Sequence, residues 1–130
     1  MPSYSRADID VVLPKRPRHL DAIEDDGDVL DLSISGKDGT RIRVKCDSYL
    51  LYAKRDEGNA IRTIASIAED TSLESLIFAV DKSWLLAWFV DECEGMRRAE
   101  DLKHFIVACA NDVIDIISVD DLVVEVSDNS

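Results

Sequence analysis

The sequence predicts an α/β (α+β) fold in which a small mixed sheet is covered by a cluster of helices. Three observations lead to this prediction. Residues 29–46 contain alternating polar and apolar side chains around a turn, residues 76–80 form a short apolar run, and residues 84–113 repeat apolar side chains at helical spacing. A β-hairpin plus one later strand would give the sheet, and the helices would give the layer that covers it.

The hairpin is the most clearly defined local feature. Residues 40–46 alternate over their full length, residues 29–34 alternate at their end, and Gly36 to Gly39 supply turn residues between them. This pattern is typical of two antiparallel strands with one buried face. The side chains expected on that face are Leu32, Ile34, Ile42, Val44 and Cys46.

A strand and two helices between residues 73 and 119 are expected to form the core. The apolar run 76–80 is followed by Asp81 in a helix-capping position and by residues 84–90, which are apolar on every side of a helix. A second helical pattern starts at Ala99, with spacings of three and four that predict one buried face. Its apolar members are Leu102, Phe105, Ile106, Cys109, Ala110 and Val113.

Two shorter helices and one undecided segment complete the chain. Residues 49–53 are predicted to be helical behind the capping residues Asp47 and Ser48, and another helix is predicted to begin at Asn59. Residues 122–126 fit either a final strand or a helix. The helix that begins at Asn59 would carry one apolar face, made of Ile61, Ile64, Ala65 and Ala68.

A single domain is expected over residues 28–126, because 130 residues suffice for about one hydrophobic core. Residues 1–27 hold Pro14, Pro17 and runs of charge, which predict a flexible tail with room for one edge strand between Asp8 and Leu13. The basic cluster at residues 15–19 fits a solvated tail better than a nuclear-localisation signal. Residues 127–130 are expected to be frayed.

The formal net charge of −12 is the strongest compositional signal. Such an acidic surface repels phosphate backbones, so we expect no nucleic-acid binding. The charge has two open explanations, solubility alone or a basic partner. No apolar run reaches the ~20 residues that a membrane span needs and no signal peptide is visible, so we expect an intracellular protein of the cytoplasm, the nucleus or both.

No residue pattern indicates catalysis, a cofactor or a metal site, and we expect no enzyme activity. The three cysteines are odd in number and widely spaced, which favours buried, reduced thiols. His104 is expected to be a half-exposed helix residue beside Lys103. The carboxylates of Asp112, Asp115, Asp120 and Asp121 do not have the spacing of a calcium loop, so a solvated acidic face is expected there.

The order of elements, together with short motifs, resembles the BTB/POZ superfamily and its small branch of elongin C-like and S-phase-kinase-associated cullin adaptors. The matching stretches are the hairpin with Lys37-Asp38-Gly39, the segment Ala60-Ile61-Arg62-Thr63-Ile64, and the segment Phe105 to Val113 with its Ala-Asn pair. The resemblance covers residues 28–125. It implies a BTB/POZ-like fold and a cullin-type scaffold bound on one face.

The function expected from this resemblance is that of a non-enzymatic adaptor that binds an amphipathic helix of a partner protein, F-box-like or SOCS-box-like. Apolar side chains left in water are disfavoured by ~1.5–3 kcal/mol each, so either the fold or a partner must cover the outer side of the helix at 84–90. Homodimer and heterodimer both remain open. The partner-binding residues predicted are Trp84, Leu86, Ala87, Val90, Phe105, Val113 and Ile117.

The alternative function is an acidic inhibitor, such as an immunity or anti-defence protein, that blocks the basic active site of a nuclease. Carboxylates from Glu92 and Glu94 to Asp115 and Asp121 would stand in for phosphates and would steer association. Salt separates the two hypotheses, because screening slows the association of an inhibitor more than that of an adaptor that binds through apolar contacts.

Overall fold

The computed structural model describes residues 2–7, 9 and 11–127 of the chain. The described residues form nine strands, two α-helices and two 3₁₀ turns, at Glu57–Asn59 and Ala99–Asp101. The helices are α1 (Ile61–Asp70) and α2 (Trp84–Glu92). The strands are β1 (Ser3–Arg6), β2 (Arg18–Asp25), β3 (Leu30–Gly36), β4 (Arg41–Cys46), β5 (Tyr49–Asp56), β6 (Ile77–Asp81), β7 (Lys103–Ala108), β8 (Asp112–Ser118) and β9 (Val123–Ser127).

The strands form two antiparallel sheets. One has five strands in the order β1-β6-β7-β8-β5, and the other has four in the order β2-β3-β4-β9. The predicted hairpin is confirmed as β3 and β4, whose register pairs Leu32 with Val44 and Ile34 with Ile42. The final segment, left open between helix and strand, is strand β9 on the edge of the smaller sheet.

The main core lies between the two sheets. The five residues predicted for the buried face of the hairpin are all buried, and they pack against residues of β6, β7 and β8 from the larger sheet. This arrangement is a two-sheet sandwich, in which each inner face contributes alternate side chains. The principal residues of the larger sheet in this core are Ile77, Phe105, Val107, Ile114 and Ile116.

A second apolar cluster lies on the opposite face of the five-stranded sheet. Phe78, Ile106 and Val113 point to this side and meet Ile67 of α1 and Ala60 just before it. All seven residues of β8 are therefore buried, because the smaller sheet covers one face and the helical side covers the other. The protein thus has three layers: a four-stranded sheet, a five-stranded sheet and a partial layer of helices.

The predicted helical cluster, and with it the α/β fold of BTB/POZ type, is wrong. Residues 103–108 and 112–118 are strands rather than one helix, and residues 49–56 are strand β5 rather than a short helix. Strand β5 is a half-buried edge strand of the larger sheet. For β8, and for most of β7, the physical reason is that a strand buried on both faces has no polar alternation. Its continuous apolar run then matches a helical spacing by coincidence.

The Ala-Asn pair that resembled a family helix is instead the turn between β7 and β8. The Asn111 side-chain oxygen accepts the Leu20 N–H at 2.9 Å, and its amide group donates to the Leu20 carbonyl at 3.1 Å. The Ala110 N–H also donates to the Arg18 carbonyl at 2.7 Å. These bonds hold β2 to the larger sheet at the position where the register of β2 shifts.

The segment assigned to a flexible tail contributes two strands. Strand β1 pairs with β6 at the edge of the larger sheet, and β2 pairs with β3 in the smaller one. Of the predicted edge strand between Asp8 and Leu13, positions 8 and 10 lie outside the described residues, and the others are not in a strand. Of the end predicted to be frayed, Ser127 belongs to β9 and positions 128–130 lie outside the described residues.

Within the part of the chain that the structure describes, neither helix has the length and apolar character required to cross a membrane.

Candidate interaction surface and the polar network beneath it

Helix α2 carries the largest exposed aromatic side chains among the described residues. Trp84 is 71% exposed and Trp88 is 48% exposed. Ala87 and Asp91 are also exposed, and with the two tryptophans they occupy positions i, i+3, i+4 and i+7 of one helical face. We call this face, made of Trp84, Ala87, Trp88 and Asp91, the outer face of α2.

The opposite side of α2 is also only partly covered. Its apolar side chains Leu85, Leu86, Phe89 and Val90 are half-buried, and no residue of α2 is buried. None of these side chains belongs to either of the two core clusters of the described residues. The helix therefore lies at the periphery of the fold, although its sequence is almost entirely apolar.

The start of α2 is fixed by Ser83, not by Asp81 as the sequence predicted. The Ser83 hydroxyl accepts the Leu86 N–H at 2.9 Å, which is the usual bond of a helix N-cap. Lys82 just before it has a φ of 55°, and Glu94 just beyond the helix has a φ of 47°. Non-glycine residues rarely adopt such left-handed angles, so both ends of α2 are sharp, specific turns.

A chain of polar side chains runs from the cap of α2 into the five-stranded sheet. The Ser83 Oγ lies 2.6 Å from Nδ1 of His104, and Nε2 of His104 lies 2.8 Å from Oδ1 of Asp115. Arg55 donates to the other oxygen of Asp115 at 3.1 Å and to the Thr63 hydroxyl at 3.3 Å. The chain thus joins α2 to β7, β8, β5 and α1.

The partners of His104 determine the positions of its ring hydrogens. The carboxylate of Asp115 can only accept, so the hydrogen of the neutral ring lies on Nε2, and Nδ1 is left as an acceptor. Ser83 then donates its hydroxyl hydrogen to Nδ1 while its oxygen accepts the Leu86 N–H. Every polar group in this part of the chain has a partner, as burial requires.

Asp115 is buried, with 6% of its surface exposed, but its charge is compensated by Arg55. The carboxylate also influences Tyr4, which lies nearby on β1. Burial raises the pKa of the Tyr4 phenol, and the negative charge of Asp115 raises it further. The positive charge of Arg55 acts in the opposite direction and lowers the pKa of Tyr4, but burial and Asp115 outweigh it.

A cavity of about 170 Å³ lies beside this network, between the N-terminal end of α2, β1 and the sheet. Its polar lining includes Ser83, His104, Thr63 and Tyr4, and its apolar lining includes Leu85. Trp84 stands at its border and is largely exposed to solvent.

The surface around α2 is acidic. Between residues 81 and 101 there are six acidic and three basic side chains, and all nine are exposed. One of the three basic side chains, Arg98, is engaged in an ion pair with Glu100. The acidic residues are Asp81, Asp91, Glu92, Glu94, Glu100 and Asp101, and the basic ones are Lys82, Arg97 and Arg98.

The predicted partner-binding residues fall into three environments. Trp84 and Ala87 lie on the exposed outer face of α2, whereas Leu86 and Val90 lie half-buried on its inner side. Phe105, Val113 and Ile117 are buried in β7 and β8, with 6% or less of each exposed, so a partner does not reach them in this structure. The structure therefore concentrates the candidate surface on the two tryptophans, and Trp88 joins the set.

Sequence reasoning missed the polar network. His104, expected to be half-exposed, is buried at 6%, and Asp115, expected on a solvated acidic face, is also buried at 6%. Both expectations are wrong for the same reason, because they followed from a helix where the structure has two strands. In the strands, the register sets His104 opposite Ile117 and Ile106 opposite Asp115, so His104 and Asp115 are diagonal neighbours on the same face of the sheet.

The described residues contain no group of three or more His, Cys, Asp or Glu side chains arranged to hold a metal ion. Cys46 and Cys109 are buried and Cys93 is half-buried, and all three are free thiols.

Comparisons of the chain with protein-family models, with curated proteins and with solved structures find no match.

Proposed function

We propose that this protein is a protein-binding module and that the outer face of α2 is the surface that docks a basic protein partner. The observation that supports this proposal is the exposure of Trp84 and Trp88 on one face of a helix that has no buried residue. Tryptophan, with tyrosine and arginine, is enriched among the residues that dominate binding energy at interfaces. Isolated exposed apolar residues are common, but two tryptophans on one face are a contiguous patch.

Covering the exposed parts of the two tryptophans contributes roughly 2–4 kcal/mol, so further contacts around them must supply the rest of the binding energy. A buried aromatic side chain removes roughly 150–250 Å² from water, and each such side chain contributes about 1.5–3 kcal/mol when fully covered. Since Trp84 and Trp88 are 71% and 48% exposed, covering both would use most of that amount. The proposed partner therefore needs an apolar recess or a helical face that accommodates two indole rings.

Charge favours a different protein over a second copy of this chain. The chain carries a net charge of −12, and six acidic side chains surround α2. Two copies meeting through α2 would bring these acidic groups together, and like charges across an interface are costly. A partner with Lys and Arg around its apolar contact would gain attraction at the same positions.

The variant that tests this proposal replaces Trp84 and Trp88 by Ser. Neither side chain belongs to a core cluster of the described residues, so we expect unfolding to be little affected while partner binding is lost. The matched control is Met96→Ser, which removes an apolar side chain that is 84% exposed but lies beyond the C-terminal end of α2.

The experiment compares wild type and both variants as bait in lysate of the producing cells, with quantitative mass spectrometry of the captured proteins. The proposal is supported if wild type and Met96→Ser both capture the same basic protein and the tryptophan variant does not. That protein, once purified, must also bind the purified wild type. Equal capture by all three baits would contradict it. A wild-type dimer in light scattering that the tryptophan variant abolishes would identify a second copy as the occupant.

A second candidate function is inhibition of a basic enzyme site such as that of a nuclease. The observation in its favour is that Glu92 and Glu94 are exposed at the end of α2, beside the aromatic surface. Asp115 does not support it, because that carboxylate is buried and paired with Arg55 and His104. Raising salt from 0.05 to 0.5 M should nearly abolish binding by an inhibitor whose carboxylates fill a basic site, whereas docking through the two tryptophans should associate more slowly but keep most of its affinity.

A further inference from the structure

Ser83, His104 and Asp115 stand in the order of a nucleophile, a general base and the carboxylate that orients the base. The distances of 2.6 Å and 2.8 Å along this chain are both within hydrogen-bond range. Such a chain is recognised by geometry and by the role of each group, not by order in the sequence. We propose that Ser83 is an activated nucleophile that reacts with small esters in the cavity beside α2.

This chemistry needs the His104 tautomer that carries its hydrogen on Nε2, which is the one that the hydrogen-bond partners of the neutral ring require. Asp115 holds the hydrogen on Nε2, so the lone pair of Nδ1 is directed at the Ser83 hydroxyl and can take its proton. The ring is turned relative to the usual arrangement, with Nδ1 rather than Nε2 facing the serine. The two nitrogens of imidazole are both competent bases, so the direction of the ring does not change the reaction.

The surroundings of Ser83 favour a reaction with a carbonyl. Ser83 is half-buried and lines the cavity, so its oxygen is reachable, and His104 and Asp115, each only 6% exposed, line the same cavity behind it. The first backbone hydrogen bond of α2 runs from the Ala87 N–H to the Ser83 carbonyl. The N–H groups of Trp84 and Leu85 lie before it in the first turn, so they have no partner within the helix. Free N–H groups at this position are suited to stabilise a developing oxyanion.

The reaction balances without any further reagent except water. The Ser83 oxygen forms a bond to the ester carbonyl carbon while its proton passes to Nδ1 of His104. The bond from that carbon to the alkoxy oxygen then breaks, and the departing alcohol takes the proton from Nδ1. Water next attacks the acyl-serine, His104 accepts the proton of water and returns it to Ser83, and a carboxylic acid leaves.

The size of the cavity limits the substrate. Its volume of about 170 Å³ is below the roughly 300–1,000 Å³ of pockets that take drug-sized ligands, so a small acyl group suits it. The cavity lining offers Tyr4 and Thr63 as polar neighbours and Leu85 as an apolar one. The chemical class of substrate is therefore a short-chain ester, such as an acetyl or propionyl ester.

The test uses a fluorophosphonate probe, which labels activated serines, and p-nitrophenyl acetate as substrate. We expect labelling of the wild type at Ser83, located by peptide mass spectrometry, together with ester hydrolysis. Ser83→Asn should lose both by at least about 100-fold, because asparagine keeps the helix cap but has no nucleophilic hydroxyl. The matched control is Ser72→Asn, since the exposed Ser72 hydroxyl also accepts a backbone N–H, that of Glu74 at 3.2 Å.

Two results would overturn the proposal. One is that the probe labels no serine of the wild type, or labels a serine other than Ser83. This result comes from the wild type alone and so does not depend on whether a variant folds. The other is hydrolysis that is equal in Ser83→Asn and Ser72→Asn. Asp115→Asn tests the positioning role of that carboxylate, with labelling expected to slow at least about 10-fold and the pH dependence of its rate to change. A purely structural role would leave that pH dependence as in wild type.

Discussion

Replacing Ser83 by Ala removes two hydrogen bonds, the cap of α2 and the bond that connects α2 to the sheet through His104. The Leu86 N–H loses its cap, which costs about 0.5–2 kcal/mol in proteins. Nδ1 of His104, buried behind the helix, loses its donor, and an unpaired buried acceptor costs about 1–3 kcal/mol. We therefore expect the free energy of unfolding to fall by about 1.5–5 kcal/mol.

Urea unfolding followed by far-ultraviolet circular dichroism and by tryptophan fluorescence measures this change. With a slope of about 2 kcal/mol per molar urea, the midpoint should shift by about 0.8–2.5 M. The two signals should shift together, because His104 and Asp115 lie in β7 and β8 and are part of the cooperative core. Ser72→Ala is the control, and it should move the midpoint by less than about 0.5 M because its hydroxyl is exposed.

Two outcomes would refute this reasoning. Equal midpoints for Ser83→Ala and Ser72→Ala would show that the polar chain does not stabilise the fold. A shift in fluorescence alone would show that α2, which carries both tryptophans, detaches without affecting the sheet. In that case the bond between Ser83 and His104 would hold the helix without contributing to global stability.

Three further predictions concern other parts of the protein. Asn111→Ala should lower the free energy of unfolding by about 1–3 kcal/mol, because it removes both side-chain bonds to the β2 backbone, and urea unfolding measures this. Absorbance titration should show a pKa of about 12 for Tyr49, raised chiefly by its hydrogen bond to Asp25, and Asp25→Asn should return that pKa toward 10. Because the folded-state pKa is raised, the stability that this bond contributes should be present below pH 10 and lost between pH 10 and 12. Alkylation of the native protein at pH 8 should modify Cys93 first, because burial raises the pKa of Cys109 to about 12 and excludes the reagent.

Each of these three has a result that would contradict it. Asn59→Ala, in an exposed 3₁₀ turn, is the control for Asn111→Ala, and an equal effect of the two would mean that the β2 contact is unimportant. A Tyr49 pKa that is unchanged in Asp25→Asn would show that the carboxylate is not its partner. Modification of Cys109 as fast as Cys93 would show that the sandwich opens readily.

The hairpin could be predicted because the alternating pattern that specifies it lies entirely within its own residues. Leu32, Ile34, Ile42 and Val44 alternate with polar neighbours, and each of the four is buried in the structure. The sequence also predicts α1 and α2 to within one or two residues of their observed starts, and the strand predicted at residues 76–80 is β6, one residue later. These elements are half-exposed or bounded by turn residues, so their patterns are distinct.

The larger sheet could not be predicted from residues 99–119, because its central strands are covered on both faces. Ile106 and Val113 face the helical side while Phe105 and Ile114 face the other sheet, so no polar face remains to mark the period of a strand. The buried polar residues His104 and Asp115 looked like surface positions for the same reason. Their burial depends on Arg55 from β5 and on Ser83 from the start of α2, which are distant in sequence and adjacent only in the fold.

The buried polar chain accounts for how the two tryptophans stay exposed on an ordered helix. A helix with no buried residue has little apolar contact to hold it against the sheet, so another interaction must fix its position. The contact from Ser83 to His104 supplies one, and it does so at the N-terminal end, directly beside Trp84. Because the Ser83 cap and the left-handed turns at both ends fix where α2 begins and ends, Trp84 and Trp88 can remain exposed on a fixed helix. A preordered apolar surface loses less conformational entropy when a partner binds, and this is the physical advantage that we assign to α2 in docking.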